Sequence, residues 1–191
     1  EYAEVRLDFI KPSEIPIVLE NIKKLLSRCV CTLRPKNEGG EFTSSEKERI
    51  SILKLISEYN PFLLDVEFNT LKKDQKLRTY LKKSKTNVLV SWHDFKKTPC
   101  LTTLNLKLKE MKKLSNFVKI VTNAKSISDT SRILSLYNKS SKTKLIAFAM
   151  GDQAKFSRIL CLYLGSPFTY VSLDKPIAPG QFSLDEIKSF R

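Results

Sequence analysis

Seven short apolar runs recur along this 191-residue chain at intervals of about 24 to 33 residues: Ala3–Phe9, Cys29–Arg34, Phe62–Phe68, Val88–His93, Phe117–Val121, Leu145–Met150 and Phe168–Leu173. That interval fits one strand plus the helix needed to return to a parallel neighbour. The stretches between them carry a helical period. Ile15, Val18, Leu19, Ile22 and Leu26 fall on one face, as do Ile52, Leu55, Ile56 and Tyr59, and later Phe156, Ile159, Leu160 and Tyr163. A repeating β/α pattern leaves two architectures, an open doubly wound sheet or a closed barrel. No G-x-G-x-x-G follows any strand, and ionisable residues sit in or just after most of them: Glu4, Arg6, Asp8, Arg34, Asp65, Glu67, His93 and Lys119. A barrel brings strand ends to one mouth and would gather these residues. The expected fold is therefore α/β, a (β/α)8 TIM-type barrel in a single domain over residues 1–191. Seven strands is one short of closure, so the first strand and helix are expected upstream of Glu1; a reduced sheet starting at Ala3–Phe9 is the alternative.

Composition narrows the class. No apolar run approaches the roughly 20 residues of a membrane helix, and 41% hydrophobic with 28% charged residues is a globular profile. The net charge of +14 attracts phosphate in general, but the lysines are scattered (Lys23-Lys24, Lys72-Lys73, Lys82-Lys83, Lys112-Lys113) without aromatic interleaving. Such lysines describe solvated helix faces, as also found in heat-adapted proteins. No signal-peptide pattern opens the chain. Cys29, Cys31, Cys100 and Cys161 contain no C-x-x-C, so free thiols and a cytoplasmic location are expected. Cys29 and Cys31 share a strand face but lack a histidine pair, and no metal site is expected.

Two residues carry chemistry. Lys119 lies inside Phe117-Val118-Lys119-Ile120-Val121, and His93, the chain's only histidine, closes Val88-Leu89-Val90-Ser91-Trp92-His93. A buried ammonium is costly unless paired or neutralised, which makes a strand lysine a candidate nucleophile. An amine that attacks near neutrality must be brought from about 10.4 to roughly 7 or 8. An apolar interior with Arg6 or Arg34 nearby would act in that direction.

Seven short motifs then occur in order: Glu4-Val5-Arg6-Leu7-Asp8, Thr32-Leu33-Arg34 with Glu38-Gly39-Gly40, Asp65-Val66-Glu67, Ser91-Trp92-His93-Asp94-Phe95, Val118-Lys119-Ile120, Ser157-Arg158 and Ala178-Pro179-Gly180-Gln181. In order and spacing the chain resembles type I 3-dehydroquinate dehydratase, from that family's second strand to near its end. The resemblance implies a lyase that converts 3-dehydroquinate to 3-dehydroshikimate in the shikimate pathway through a lysine imine. It implies Lys119 as the Schiff-base residue, His93 as general acid/base and Glu38 as the carboxylate orienting the imidazole. It further implies Arg158 for the substrate carboxylate, Glu4, Arg6 and Arg34 for the ring hydroxyls, and Gln181 on a loop that folds over the ligand. Asp65 and Glu67 are expected to compensate the arginines and Lys119. A homodimer is implied, and imine chemistry calls for no cofactor. The sequence departs from the family pattern at Ile177, where serine is common, and at Ala154, where glycine is common. Two rival readings are a class I aldolase, which lacks the Glu38, His93, Arg158 and Gln181 set, and a basic nucleic-acid-binding module.

Overall fold

Polar and less polar residues alternate in Glu4-Val5-Arg6, Asp65-Val66-Glu67 and Ser91-Trp92-His93, and successive side chains on a strand point to opposite faces. The computed structural model describes residues 2–173 and 180–189 of the chain. Glu1, Ile177, Ala178 and Pro179 lie outside the described residues, so neither the Ile177 departure nor the first half of the Ala178-Pro179-Gly180-Gln181 motif has a structural account. The chain forms two compact units, Glu1–Ser91 and Trp92–Arg191.

In the first unit, β1 (Ala3–Arg6), β2 (Cys29–Thr32), β3 (Leu63–Glu67) and the first four residues of β4 (Val88–Asp94) pair in parallel, each with the next in the chain. The register sets Arg6 beside Thr32, Thr32 beside Asp65 and Asp65 beside Leu89, while Glu67 lies beside Ser91. Because side chains alternate along a strand, Glu4, Arg6, Thr32, Asp65, Glu67 and Ser91 share one face, and Cys31, Leu64, Val66 and Val90 the other. The returning helices are α1 (Ile15–Asn21), α2 (Glu46–Glu58) and the pair α3 (Phe68–Lys73) and α4 (Gln75–Lys83). Ser45 caps α2 by accepting from Glu48 N at 3.2 Å, and Asp74 caps α4 by accepting from Leu77 N at 2.7 Å. Ile52 and Ile56 of α2 are buried, as the period predicts, but Leu53 joins them while Leu55 and Tyr59 of the expected face are only half-buried.

The second unit holds β5 (Phe117–Asn123) and β6 (Lys144–Met150), parallel over their whole length. Helices α5 (Leu101–Lys112), α6 (Ile127–Leu134), α7 (Ser157–Tyr163) and α8 (Leu184–Lys188) accompany them. Leu104, Leu108 and Met111 of α5 and Ile133 of α6 are buried. The buried Tyr137 hydroxyl accepts from Ala147 N at 2.8 Å and donates to Ala147 O at 3.1 Å, tying a 3-10 turn to β6.

Four expectations are corrected. Phe168–Leu173 is not a strand: among the described residues its one bridge joins Ser172 to Ser183, with Ser172 N donating to Phe182 O at 2.9 Å and Leu184 N donating to Ser172 O at 2.9 Å. Its backbone is used by the segment that leads into α8. The first run is a strand only to Arg6, since Leu7–Phe9 tightens into a 3-10 turn, and the first helix passes into 3-10 geometry at Lys23–Arg28. On α7 the burial is the reverse of the apolar pattern: Ser157, Arg158 and Cys161 are inside, while Phe156, Leu160 and Tyr163 are exposed. Ser157 sets this rotation, because its Oγ donates to Ala154 O at 2.6 Å and accepts from Ala149 N at 3.0 Å. Polar groups with fixed partners here outrank apolar periodicity.

Candidate active site

The polar face of the first unit is built around Arg34, which follows β2 and is 4% exposed. Its Nη1 donates to Glu67 Oε1 and to Ser91 Oγ, each at 2.7 Å, and its Nη2 donates to Asp65 Oδ2 at 2.7 Å. Ser91 Oγ in turn donates to Asp65 Oδ1 at 2.5 Å. Among the described residues these bonds use three of the guanidinium's five N–H groups, and Nε–H and one Nη2 hydrogen are the donors a ligand could take. Burial by itself would weaken the Arg34 cation, but Asp65 and Glu67 outweigh it and hold Arg34 above its ordinary value. Glu67 moves upward as well, because its own burial outweighs the help of Arg34 and Arg49. The expectation that Asp65 and Glu67 compensate an arginine is met at Arg34.

Glu4 accepts from Thr32 Oγ1 at 2.8 Å. Arg6 forms a two-pronged pair with Asp8, Nε to Oδ1 at 2.9 Å and Nη2 to Oδ2 at 2.6 Å. Burial pushes the Asp8 carboxyl up, but the Arg6 hydrogen bond and charge, with Glu41 N donating at 3.0 Å, hold it below the ordinary aspartate value. Glu38 ends a short 3-10 turn after β2, and its Oε1 accepts from Asn69 Nδ2 of α3 at 2.8 Å. The two glycines after it have separate jobs. Gly39 takes a left-handed φ of 80°, and a Cβ on Gly40 would lie 2.1 Å from Arg34 O, so the loop can press on Arg34 only as glycine. Glu38-Gly39-Gly40 thus fixes the carboxylate loop and the arginine backbone together.

In the second unit Lys119 sits in the middle of β5, 6% exposed, with Nζ 4.1 Å from the centre of the Tyr170 ring. Phe148 of β6 shares its face, since Val121, two residues on from Lys119, pairs with Phe148. Arg158 of α7 is 2% exposed and its guanidinium lies 4.3 Å over the Phe148 ring. Burial lowers Arg158 to about 10, so it stays charged near neutrality in a setting that resists charge. A carboxylate ligand would relieve that cost. His93, near the end of β4, is half-buried and stacks on Phe95 with ring centres 5.7 Å apart. Gly180, at φ 67°, abuts Gly151, where a Cβ would lie 2.7 Å from the carbonyl oxygen, and the buried Gln181 follows it. Ala154 is no obstacle to the turn before Arg158. The positive φ there falls on Gly151 at 105°, and Ala154 is not among the residues of positive φ.

Sequence reasoning passed over Arg49, Asn69 and Tyr170. Arg49 sits in the run Glu46-Lys47-Glu48-Arg49, which looks like an exposed helix start but is buried at Arg49. Tyr170 falls within the run Phe168–Leu173, and only tertiary contact brings it to Lys119. Among the described residues no group of three or more His, Cys, Asp or Glu gathers to hold a metal ion. None of the described helices is long and apolar enough to cross a membrane.

Comparison with known proteins bears on this arrangement. The model of the family "Type I 3-dehydroquinase" matches residues 1–190. A 3-dehydroquinate dehydratase of Pyrococcus abyssi is 37% identical over 97% of this chain and 83% of its own length, and one of Dehalococcoides mccartyi is 36% identical over 97% and 82%. Among solved structures, a type I 3-dehydroquinate dehydratase of Clostridium difficile, carrying covalently modified comenic acid, superposes with a TM-score of 0.86 at 26% identity, covering 97% of this chain and 78% of that one. The 3-dehydroquinate dehydratase of Aquifex aeolicus gives a TM-score of 0.82 at 28% identity, over 98% and 85%. The α/β fold of the TIM-barrel type stands with these neighbours, and the aldolase and nucleic-acid readings give way. By sequence and by fold, the chain belongs to the type I 3-dehydroquinase family.

Proposed function

We propose that this chain dehydrates 3-dehydroquinate to 3-dehydroshikimate through an imine on Lys119, in the shikimate route to aromatic amino acids. The observation that carries the reading is the buried strand amine of Lys119 against Tyr170. The amine adds to the substrate ketone and water leaves, giving an iminium that acidifies the neighbouring C–H. His93 takes that proton and returns it to the departing hydroxyl, which leaves as a second water; hydrolysis of the imine consumes one water and restores the amine. Glu38 steadies the imidazole. Arg158 takes the substrate carboxylate, Glu4, Arg6 and Arg34 take the ring hydroxyls, and Gln181 closes over the ligand.

Borohydride trapping tests this. Wild-type protein with 3-dehydroquinate should gain a reduced adduct on Lys119, and Lys119→Ala should lose both the adduct and turnover. His93→Ala should still be trapped while kcat drops by about 10²- to 10⁴-fold. Undiminished turnover by Lys119→Ala would sink the mechanism.

A homodimer and a cytoplasmic location belong to the same reading. Tyr163 is 83% exposed, and with Phe156, Leu160 and Leu164 it gives an apolar surface that a second copy would cover. All four cysteines are free thiols, three of them buried, as a reducing compartment maintains. Sedimentation velocity should give a dimer, and Tyr163→Glu should weaken it.

A further inference from the structure

Arg49 of α2 is 1% exposed and uses all five of its N–H groups. Nε and Nη2 donate to the two oxygens of Glu46 at 2.8 Å each, and Nη2 also donates to Thr70 Oγ1 at 2.5 Å. Nη1 donates to Leu33 O at 3.2 Å and to Glu67 Oε2 at 2.7 Å. The other oxygen of Glu67 accepts from Arg34 at 2.7 Å, so one carboxylate bridges two guanidinium groups with one oxygen for each. A carboxylate held on one side only can swivel about its last bond. Held on both, it has one orientation, and so does the arginine it carries.

We propose that Arg49 is a positioning residue for the dehydration, acting through Glu67 to fix the direction in which Arg34 offers its two remaining N–H groups to the substrate. The proposal rests on the reading that Arg34 binds substrate. Arg49 does not touch the substrate in this scheme. Around Glu67 the ionisable groups are Asp65 on its own strand, Arg34 after β2, and Arg49 on α2 with its partner Glu46; Glu4 and Arg6 of β1 act on Arg34. Arg34 and Arg49 balance Asp65 and Glu67. Without Arg49 the buried set carries a net negative charge, and Glu67, which burial already pushes up, takes a proton at higher pH and loosens its hold on Arg34.

The test is steady-state turnover of 3-dehydroquinate by the full chain from pH 5 to 9, for wild type, Arg49→Met, Arg49→Lys, Glu67→Gln and Arg49→Met/Glu67→Gln. In Arg49→Met, KM should rise about tenfold near pH 6 with kcat within about threefold, and the excess should shrink as pH rises and Glu67 ionises. Glu67→Gln should raise KM without that pH dependence, and the double variant should match Glu67→Gln alone, because Arg49 acts through Glu67. Arg49→Lys keeps the charge but not the five-bond grip. It should raise KM about threefold with no new acid limb, and it carries the test if Arg49→Met does not fold. Wild-type KM and pH profile in Arg49→Met or Arg49→Lys, with only a lower melting temperature, would overturn the proposal, as would additive effects in the double variant. An inactive wild type would instead sink the assigned reaction, and the positioning role with it.

Discussion

Arg34 and Arg158 are both nearly inaccessible to water, and their acidities move in opposite directions. At Arg34 burial is outweighed by Asp65 and Glu67, and the cation is held above its ordinary value; at Arg158 burial wins and lowers it to about 10. One arginine is locked at 2.7 Å by two carboxylates, Asp65 and Glu67, and by the Ser91 hydroxyl. The other rests on the Phe148 ring. A locked cation contributes to the fold and offers a ligand only its spare donors. A cation against an aromatic ring is costly to bury, and it gains most from an arriving anion.

The comparison is broken most directly by the same substitution at both positions. Arg34→Met leaves Asp65 and Glu67 as buried carboxylates without their main partner, and should cost about 3 to 5 kcal/mol in urea unfolding. Arg158→Met removes a charge that its surroundings resist and should cost less stability than Arg34→Met, while raising KM by about 10- to 100-fold. Equal losses of stability would show that the two sites do not differ in the way their environments indicate.

A smaller effect is expected at the backbone that supports the locked arginine. Gly40→Ala forces a Cβ against Arg34 O, and should cost about 1 to 3 kcal/mol with a matching fall in Tm. Gly165→Ala is the control for strain alone, since φ is 102° there but nothing lies within 4 Å. The smallest effect is at Asp8. Its carboxyl is held below the usual 3.8, so it contributes stability above that pH, and the contribution is lost as pH falls through the lower folded-state value. Asp8→Asn should therefore flatten the loss of stability below about pH 4.

Much of this was legible before any coordinates. The spacing of the apolar runs gave six of the seven strands within a few residues, and the alternate polar positions in Glu4-Val5-Arg6, Asp65-Val66-Glu67 and Ser91-Trp92-His93 marked one sheet face. Those patterns are local, since side-chain direction in a strand follows from the two-residue repeat. Phe168–Leu173 read as a strand for the same local reason and failed, because a strand is completed by the partner it bonds, and Ser172 bonds the residues before α8.

What composition and period determined is the class of fold, the order of its strands and the residue types able to do imine chemistry. Tertiary structure decided the rest. It turned α7 so that Arg158 is inside and Tyr163 outside, buried Arg49 from a run that looks solvated, and set Tyr170 against Lys119. The reason is physical: periodicity reports only how neighbours along the chain are oriented. Which charged group can be buried depends on partners that arrive from distant positions, and their hydrogen bonds outweigh the apolar preference of any single helix face.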